Sequence, residues 1–93
     1  MNRDEALALL AQQHSFPGPF EFRVVVRPPV RSTVVSAMVV AAGAAARLES
    51  VGERPSKHGK YVALAVTLHV EAAERVLDVW EILKSVDGVV TSL

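Results

Sequence analysis

Two stretches of the chain alternate apolar and polar residues, which is the pattern of a β-strand with one buried face. The first stretch covers residues 20–27 and the second covers residues 60–70. One side of each strand is therefore expected in a hydrophobic core, and the other side on an open surface. The predicted core positions are Phe20, Phe22, Val24, Val26, Val62, Leu64, Val66, Leu68 and Val70.

Two other stretches follow the period of an α-helix. Residues 4–13 come after Asn2, which can cap a helix that has Glu5 at its third position. Residues 72–85 carry apolar side chains on one face, including Trp80, and charged side chains on the other. Glu71 and Arg75 are spaced for an ion pair across one helical turn. We predict a short N-terminal helix and a clearly amphipathic later helix.

The stretch of residues 32–46 is ambiguous, because its valines suit a strand as well as a helix. We predict a helix, since Gly43 is its only strong breaker and the proline pair at residues 28–29 ends the strand before it. The side of this helix that would face away from the sheet is nearly as apolar as the side that would face it, because Val40 and Gly43 lie there among few polar residues. Such a helix needs cover on two faces, which the N-terminal helix or a second subunit could provide.

Weaker strands are predicted at residues 47–53 and 89–93, with a polar hairpin turn at residues 54–59 and a second turn at Asp87-Gly88. A helix is thus followed by the order β-α-β-β-α-β. This order predicts an α+β, ferredoxin-like sandwich, in which a four-stranded antiparallel sheet carries two helices on one face. Residues 1–15 are the N-terminal helix and linker, and residues 16–93 form the ferredoxin-like domain.

Composition and charge narrow the classes of partner. Ten basic residues balance ten acidic ones, so no overall charge attracts nucleic acid or an anionic membrane. The absence of cysteine excludes disulfides and thiolate chemistry, and it fits a reducing compartment. Residues 1–5 include the acids Asp4 and Glu5 where a signal peptide would have a basic start, and the apolar residues 34–46 are too few to span a bilayer. We expect a cytoplasmic protein with no membrane partner.

The sequence offers no recognisable catalytic motif. It has no nucleophile elbow, and His14, His58 and His69 lack the spacing of a metal site. Acylphosphatases share the predicted topology but depend on an asparagine in the core domain, and the only asparagine here is Asn2. We therefore predict a protein that is not an enzyme and that has no cofactor or metal ion.

Basic residues cluster in the hairpin turn of this otherwise neutral protein. With the serine and glycine amides they could hold a phosphate or carboxylate, although a charged, solvated turn is the simpler alternative. The small residues Ala63, Ala65 and Thr67 add a flat surface beside the turn, and Arg23, Arg27 and Arg31 could add charge. The predicted ligand- or partner-binding residues are Arg54, Ser56, Lys57, His58, Gly59, Lys60 and Tyr61.

Two segments resemble a YbeD-like bacterial family of unknown function. These are Phe16-Pro17 before the first strand and the run Arg54-Pro55-Ser56-Lys57-His58-Gly59-Lys60-Tyr61-Val62, where the family typically has Arg-Pro-Ser-Ser-Lys-Gly-x-Tyr. The resemblance covers residues 16–93, and this chain departs from it at Lys57 and His58. It implies a ferredoxin-like fold similar to ACT domains, and with it a suggested role in allosteric regulation, including a link to lipoate metabolism. The loop at residues 27–31 lacks the glycine near which ACT domains bind amino acids.

Two functions of different classes remain open. The first is a non-catalytic regulatory or adaptor module that binds a small anionic metabolite or a protein partner and self-associates, most simply as a homodimer. The alternative is an RNA-binding module on the same topology. RNA is the less favoured ligand, because only Tyr61 could stack on a base at the open sheet face.

Overall fold

The computed structural model describes residues 2–92, so Met1 and the predicted end of the last strand at Leu93 lie outside the described residues. In this part of the chain no helix is long and apolar enough to cross a membrane. The elements are α1 (Arg3–Gln13), β1 (Gly18–Val26), a 3-10 turn (Pro28–Val30), α2 (Arg31–Ala42), β2 (Arg47–Pro55), β3 (Val62–Val70), α3 (Ala73–Leu83) and β4 (Val89–Ser92).

The four strands form one antiparallel sheet in the order β2-β3-β1-β4. The two central strands pair along nine residues, with Phe22 opposite Val66 at the middle. The connections β1-α2-β2 and β3-α3-β4 each pass over one intervening strand. Right-handed crossovers of this kind place both helices on the same face of the sheet. The predicted α+β, ferredoxin-like fold is confirmed.

The core lies between this sheet and the helices α2 and α3. All nine core positions predicted from the alternation are buried, and Phe22, Val26, Val66, Leu68 and Val70 are fully buried. Partly buried Trp80 packs its ring edge-to-face on the ring of Phe20, with centroids 6.1 Å apart. Strand β1 begins earlier than predicted and β3 later, but the faces of both strands are as the alternation predicts.

The helix predicted for residues 32–46 ends at Ala42, so the prediction was wrong for its last turn. The reason is Gly43, whose φ of 99° and ψ of 176° lie in a region that essentially only glycine adopts. The side chain of Arg75 lies against Gly43, its Nε 3.3 Å from where a Cβ would stand. Hydrogen bonds to Glu71 and Asp78 hold this guanidinium and raise its pKa above the ordinary value.

Helix α3 packs along one side of α2, whereas the sequence left the N-terminal helix or a second subunit as its possible cover. Helix α1 packs on α3 instead and contributes Leu10 to the core. Its first turn is capped as predicted, because the amide of Glu5 donates to the side chain of Asn2 at 2.8 Å. Only Val40 of α2 remains a strongly exposed large apolar residue, 80% exposed.

Strand β2 forms one edge of the sheet and is exposed along its whole length. Leu48 and Val51 face the helix side, since they pair with the buried Leu68 and Val66, yet they are 47% and 40% exposed. The helices therefore cover the two central strands and leave this edge strand bare.

Candidate functional site

The sheet face opposite the helices is uncovered, and we call it the open face. Alternation along the central strands places Glu21, Arg23 and Val25 of β1 and Ala63, Ala65, Thr67 and His69 of β3 on it. In an antiparallel pair, directly opposed residues share a face. Gly52 therefore joins the open face beside Ala65, and Arg54 joins it beside Ala63.

A hollow of about 360 Å³ lies on the open face, and we call it the trough. Gly52, Ala63 and Ala65 form its floor, since none of them carries more than a methyl group. Strand β1 provides one wall through Arg23 and Val25, and β2 provides part of the other through Arg54. Its lining consists of Arg23, Val24, Val25, Gly52, Glu53, Arg54, Ala63, Leu64, Ala65 and Thr91.

A second hollow of about 510 Å³ lies next to the hairpin turn, and we call it the turn hollow. It shares Val25, Arg54 and Ala63 with the trough, so the two hollows are neighbours. Four residues of the predicted site line it, and these are Arg54, Ser56, Lys57 and Tyr61. The fold thus joins part of the predicted turn site to the open face.

Hydrogen bonds inside the turn occupy the amides that the sequence suggested for an anion. The Ser56 amide donates to the Tyr61 carbonyl at 2.8 Å, and the Gly59 amide donates to the Ser56 carbonyl at 3.0 Å. The Ser56 hydroxyl accepts from the Tyr61 amide at 3.1 Å. These groups close the turn, so an anion here would rely on the side chains of Arg54 and Lys57.

The charged groups around the trough differ in whether they are paired. Arg54 and Lys57 have no carboxylate within 4 Å among residues 2–92. Arg23 is paired through its Nε with Glu21 at 2.8 Å, both side chains being largely exposed. Glu53 is paired with an arginine from α2, at 3.5 Å. Arg54 therefore carries the main uncompensated charge at the junction of the hollows.

The remaining predicted positions do not gather at the trough. His58 and Gly59 lie at the tip of the turn, and Lys60 holds its Nζ 5.4 Å from the centre of the Tyr61 ring. Arg27 lines neither hollow, and Arg31 pairs with Glu53 on the helix side. Of the three additional arginines considered from the sequence, only Arg23 reaches the site.

Sequence reasoning missed Gly52 and Thr91, which line the trough from the two edge strands. Neither stands in a motif, and no local pattern marks them. The register of β2 against β3, and of β4 against β1, is what brings them to the open face. Knowing that Gly52 pairs with Ala65 would have placed Gly52 on the open face, but this pairing could be found only once the register of β2 against β3 was known.

The structure gives no candidate metal centre in residues 2–92, since no group of three or more metal-ligating side chains comes together there. His69 lies at the other end of β3, where its Nδ1 is 3.9 Å from a carboxylate oxygen of Glu49. Together the trough and the turn hollow offer the guanidinium of Arg54, the ammonium group of Lys57 and an apolar floor.

Comparison with known proteins agrees with the fold. A search of curated proteins finds no match. Among solved structures, the chain is similar to the solution structure of the C-terminal domain of the MgtC protein from Mycobacterium tuberculosis. The two share 17% identity and a TM-score of 0.69 over 87% of this chain and 88% of that one. The sequence profile described as "Protein of unknown function (DUF493)" matches residues 11–93, and the chain therefore belongs to this family.

Proposed function

We propose that the domain is a non-catalytic regulatory or adaptor module of the cytoplasm that binds a small anionic metabolite on the open face of its sheet. The observation that carries this proposal is the guanidinium of Arg54. Arg54 lines both hollows, and its guanidinium has no carboxylate within 4 Å among residues 2–92. Its planar fork of N–H donors matches the oxygens of a carboxylate or phosphate.

The surroundings of Arg54 favour a small ligand. A volume of about 360 Å³ falls within the size range of small-molecule sites. Lys57 extends the positive charge into the turn hollow. Glu53, which lines the trough, is already paired with Arg31, and Glu21 is paired with Arg23. An acidic or phosphorylated side chain of a protein partner would be recognised through the same guanidinium.

The proposal is tested by titrating isotope-labelled protein with inorganic phosphate and with citrate while amide chemical shifts are followed. We expect saturable binding to the wild type. Arg54→Gln should weaken it by about tenfold or more, because a hydrogen bond to a charged group contributes about 1.5–3 kcal/mol. Arg27→Gln removes an equal charge outside both hollows and should leave the affinity unchanged.

Equal loss in both variants would mean that only the overall charge matters, and no saturable binding of either anion would reject the metabolite proposal.

Single-stranded RNA is the alternative ligand, since Arg23, Arg54 and Lys57 could contact phosphates and Tyr61 could stack on one base. Sheets that bind RNA in this way usually stack two or three bases on aromatic side chains. On the open face of the described chain Tyr61 is joined only by His69, which lies at the other end of β3. A gel-shift assay with a single-stranded RNA oligonucleotide decides the matter, since RNA binding predicts a shift that weakens as salt is raised.

A further inference from the structure

The floor of the trough has a size and shape that restrict the ligand. We infer that the ligand carries one flat aromatic ring next to its anionic group, and that the ring lies on Gly52, Ala63 and Ala65 while the anion contacts Arg54. This inference rests on the proposed function, because it names the class of ligand for the same site.

The three floor residues and the backbone of Arg54 mark out an area of two neighbouring strands, with two successive open-face positions on each. Gly52 pairs with Ala65, and Arg54 pairs with Ala63. Such an area measures about 5 Å across the strands and about 7 Å along them. This is the footprint of a single six-membered ring. Because no side chain on the floor is larger than a methyl group, the face of a ring can lie close to the backbone.

The walls of the trough favour a flat, rigid body over a flexible chain. Val25 stands opposite Ala63 and Arg23 stands opposite Ala65, so β1 closes the floor on one side. Arg54 stands on the other side at the diagonal corner from Arg23. Guanidinium groups stack on aromatic faces, and a ring loses little conformational freedom when it binds.

Gly52 gives the trough its depth, because it has no side chain above the backbone. Its φ is not in the positive range, so the backbone does not require glycine at this position. A Cβ added there would meet the Ala65 Cβ at 3.8 Å and the Ala65 carbonyl oxygen at 4.0 Å, which are ordinary contacts. Alanine would therefore fit the free protein, but its methyl group would hold the ring away from the backbone at position 52, the lowest point of the floor. Gly52 acts as a specificity-determining residue.

The test compares phenyl phosphate with inorganic phosphate by isothermal titration calorimetry. We expect the wild type to bind phenyl phosphate about tenfold more tightly, because the ring buries apolar surface that phosphate lacks. Gly52→Ala and Ala65→Val should lose this preference and keep the affinity for inorganic phosphate. Thr67→Val changes the same face of β3 outside both hollows and should keep the preference.

The outcomes separate this inference from the proposed function. Equal affinities of the wild type for the two compounds would reject the inference that the ligand carries an aromatic ring, but would not reject the anion site. If both Gly52→Ala and Ala65→Val still prefer phenyl phosphate to inorganic phosphate, the ring does not lie on the floor of the trough. Failure of the wild type to bind either compound would overturn the proposed function itself. Thermal unfolding of each variant verifies that it is folded.

Discussion

Two glycines of this protein are present for different physical reasons. Gly43 ends α2 with a backbone conformation that other residues adopt only at a cost, and the Arg75 side chain fills the space beside it. Gly52 lies in a strand, and a Cβ added there would make only ordinary contacts with Ala65. The first glycine is required by the fold, whereas the second is required, on our proposal, by the ligand.

Substitution by alanine should therefore have opposite effects on stability. Gly43→Ala is expected to cost roughly 1–3 kcal/mol of the free energy of unfolding, because of backbone strain. Gly52→Ala should be neutral or stabilise by up to about 1 kcal/mol, since it reduces the freedom of the unfolded chain without strain. Urea denaturation of the two variants measures both effects. Similar destabilisation by both would show that Gly52 is also needed for folding.

At the scale of elements, alternation along β1 and β3 was enough to predict both strands and the whole face they bury. The end of α2 was harder to predict, because Gly43 can be tolerated inside a helix and only its positive φ shows that it terminates this one. The cover of α2 by α3 could not be predicted either, since the apolar face of a helix does not specify its neighbour.

Helix α1 should be the least stable element, because an eleven-residue helix is marginal alone and Leu10 is its only buried residue. Leu10→Ala is expected to cost about 2–3 kcal/mol locally and to speed hydrogen exchange of the α1 amides, while the α3 amides stay protected. Leu9, which is 40% exposed, provides the control, and Leu9→Ala should change little. Equal effects of the two substitutions would contradict the docking of α1 described above.

For the molecule as a whole, the sequence identified the hairpin turn as a candidate site but could not identify the trough. Arg54, Lys57 and Tyr61 stand together in the chain, whereas Gly52, Arg23 and Thr91 reach the site only through strand pairing. Ala63 and Ala65 were expected on an open surface, but the depth of that surface depends on their neighbours across the sheet. Local chemistry is therefore readable from the sequence, and the shape of the site is not.

Self-association, which was expected from the sequence, is proposed to use β2. This strand is a bare edge of the sheet with Leu48 and Val51 exposed, and an uncovered edge can pair with a second copy of the chain. Light scattering after size exclusion should give a dimer for the wild type and a monomer for Val51→Lys. Val90→Lys, at an exposed apolar position on the other edge strand β4, should remain dimeric. A monomeric wild type at high concentration would reject this proposal.

The open face can be tested most directly by intermolecular nuclear Overhauser effects between phenyl phosphate and the labelled protein. We predict contacts from the ring protons to the methyl groups of Ala63 and Ala65, with shifts of the Gly52 and Arg54 amides. Contacts to Val35 of α2 and Val51 on the helix side of β2, or to none of the described residues, would contradict a binding site on the open face.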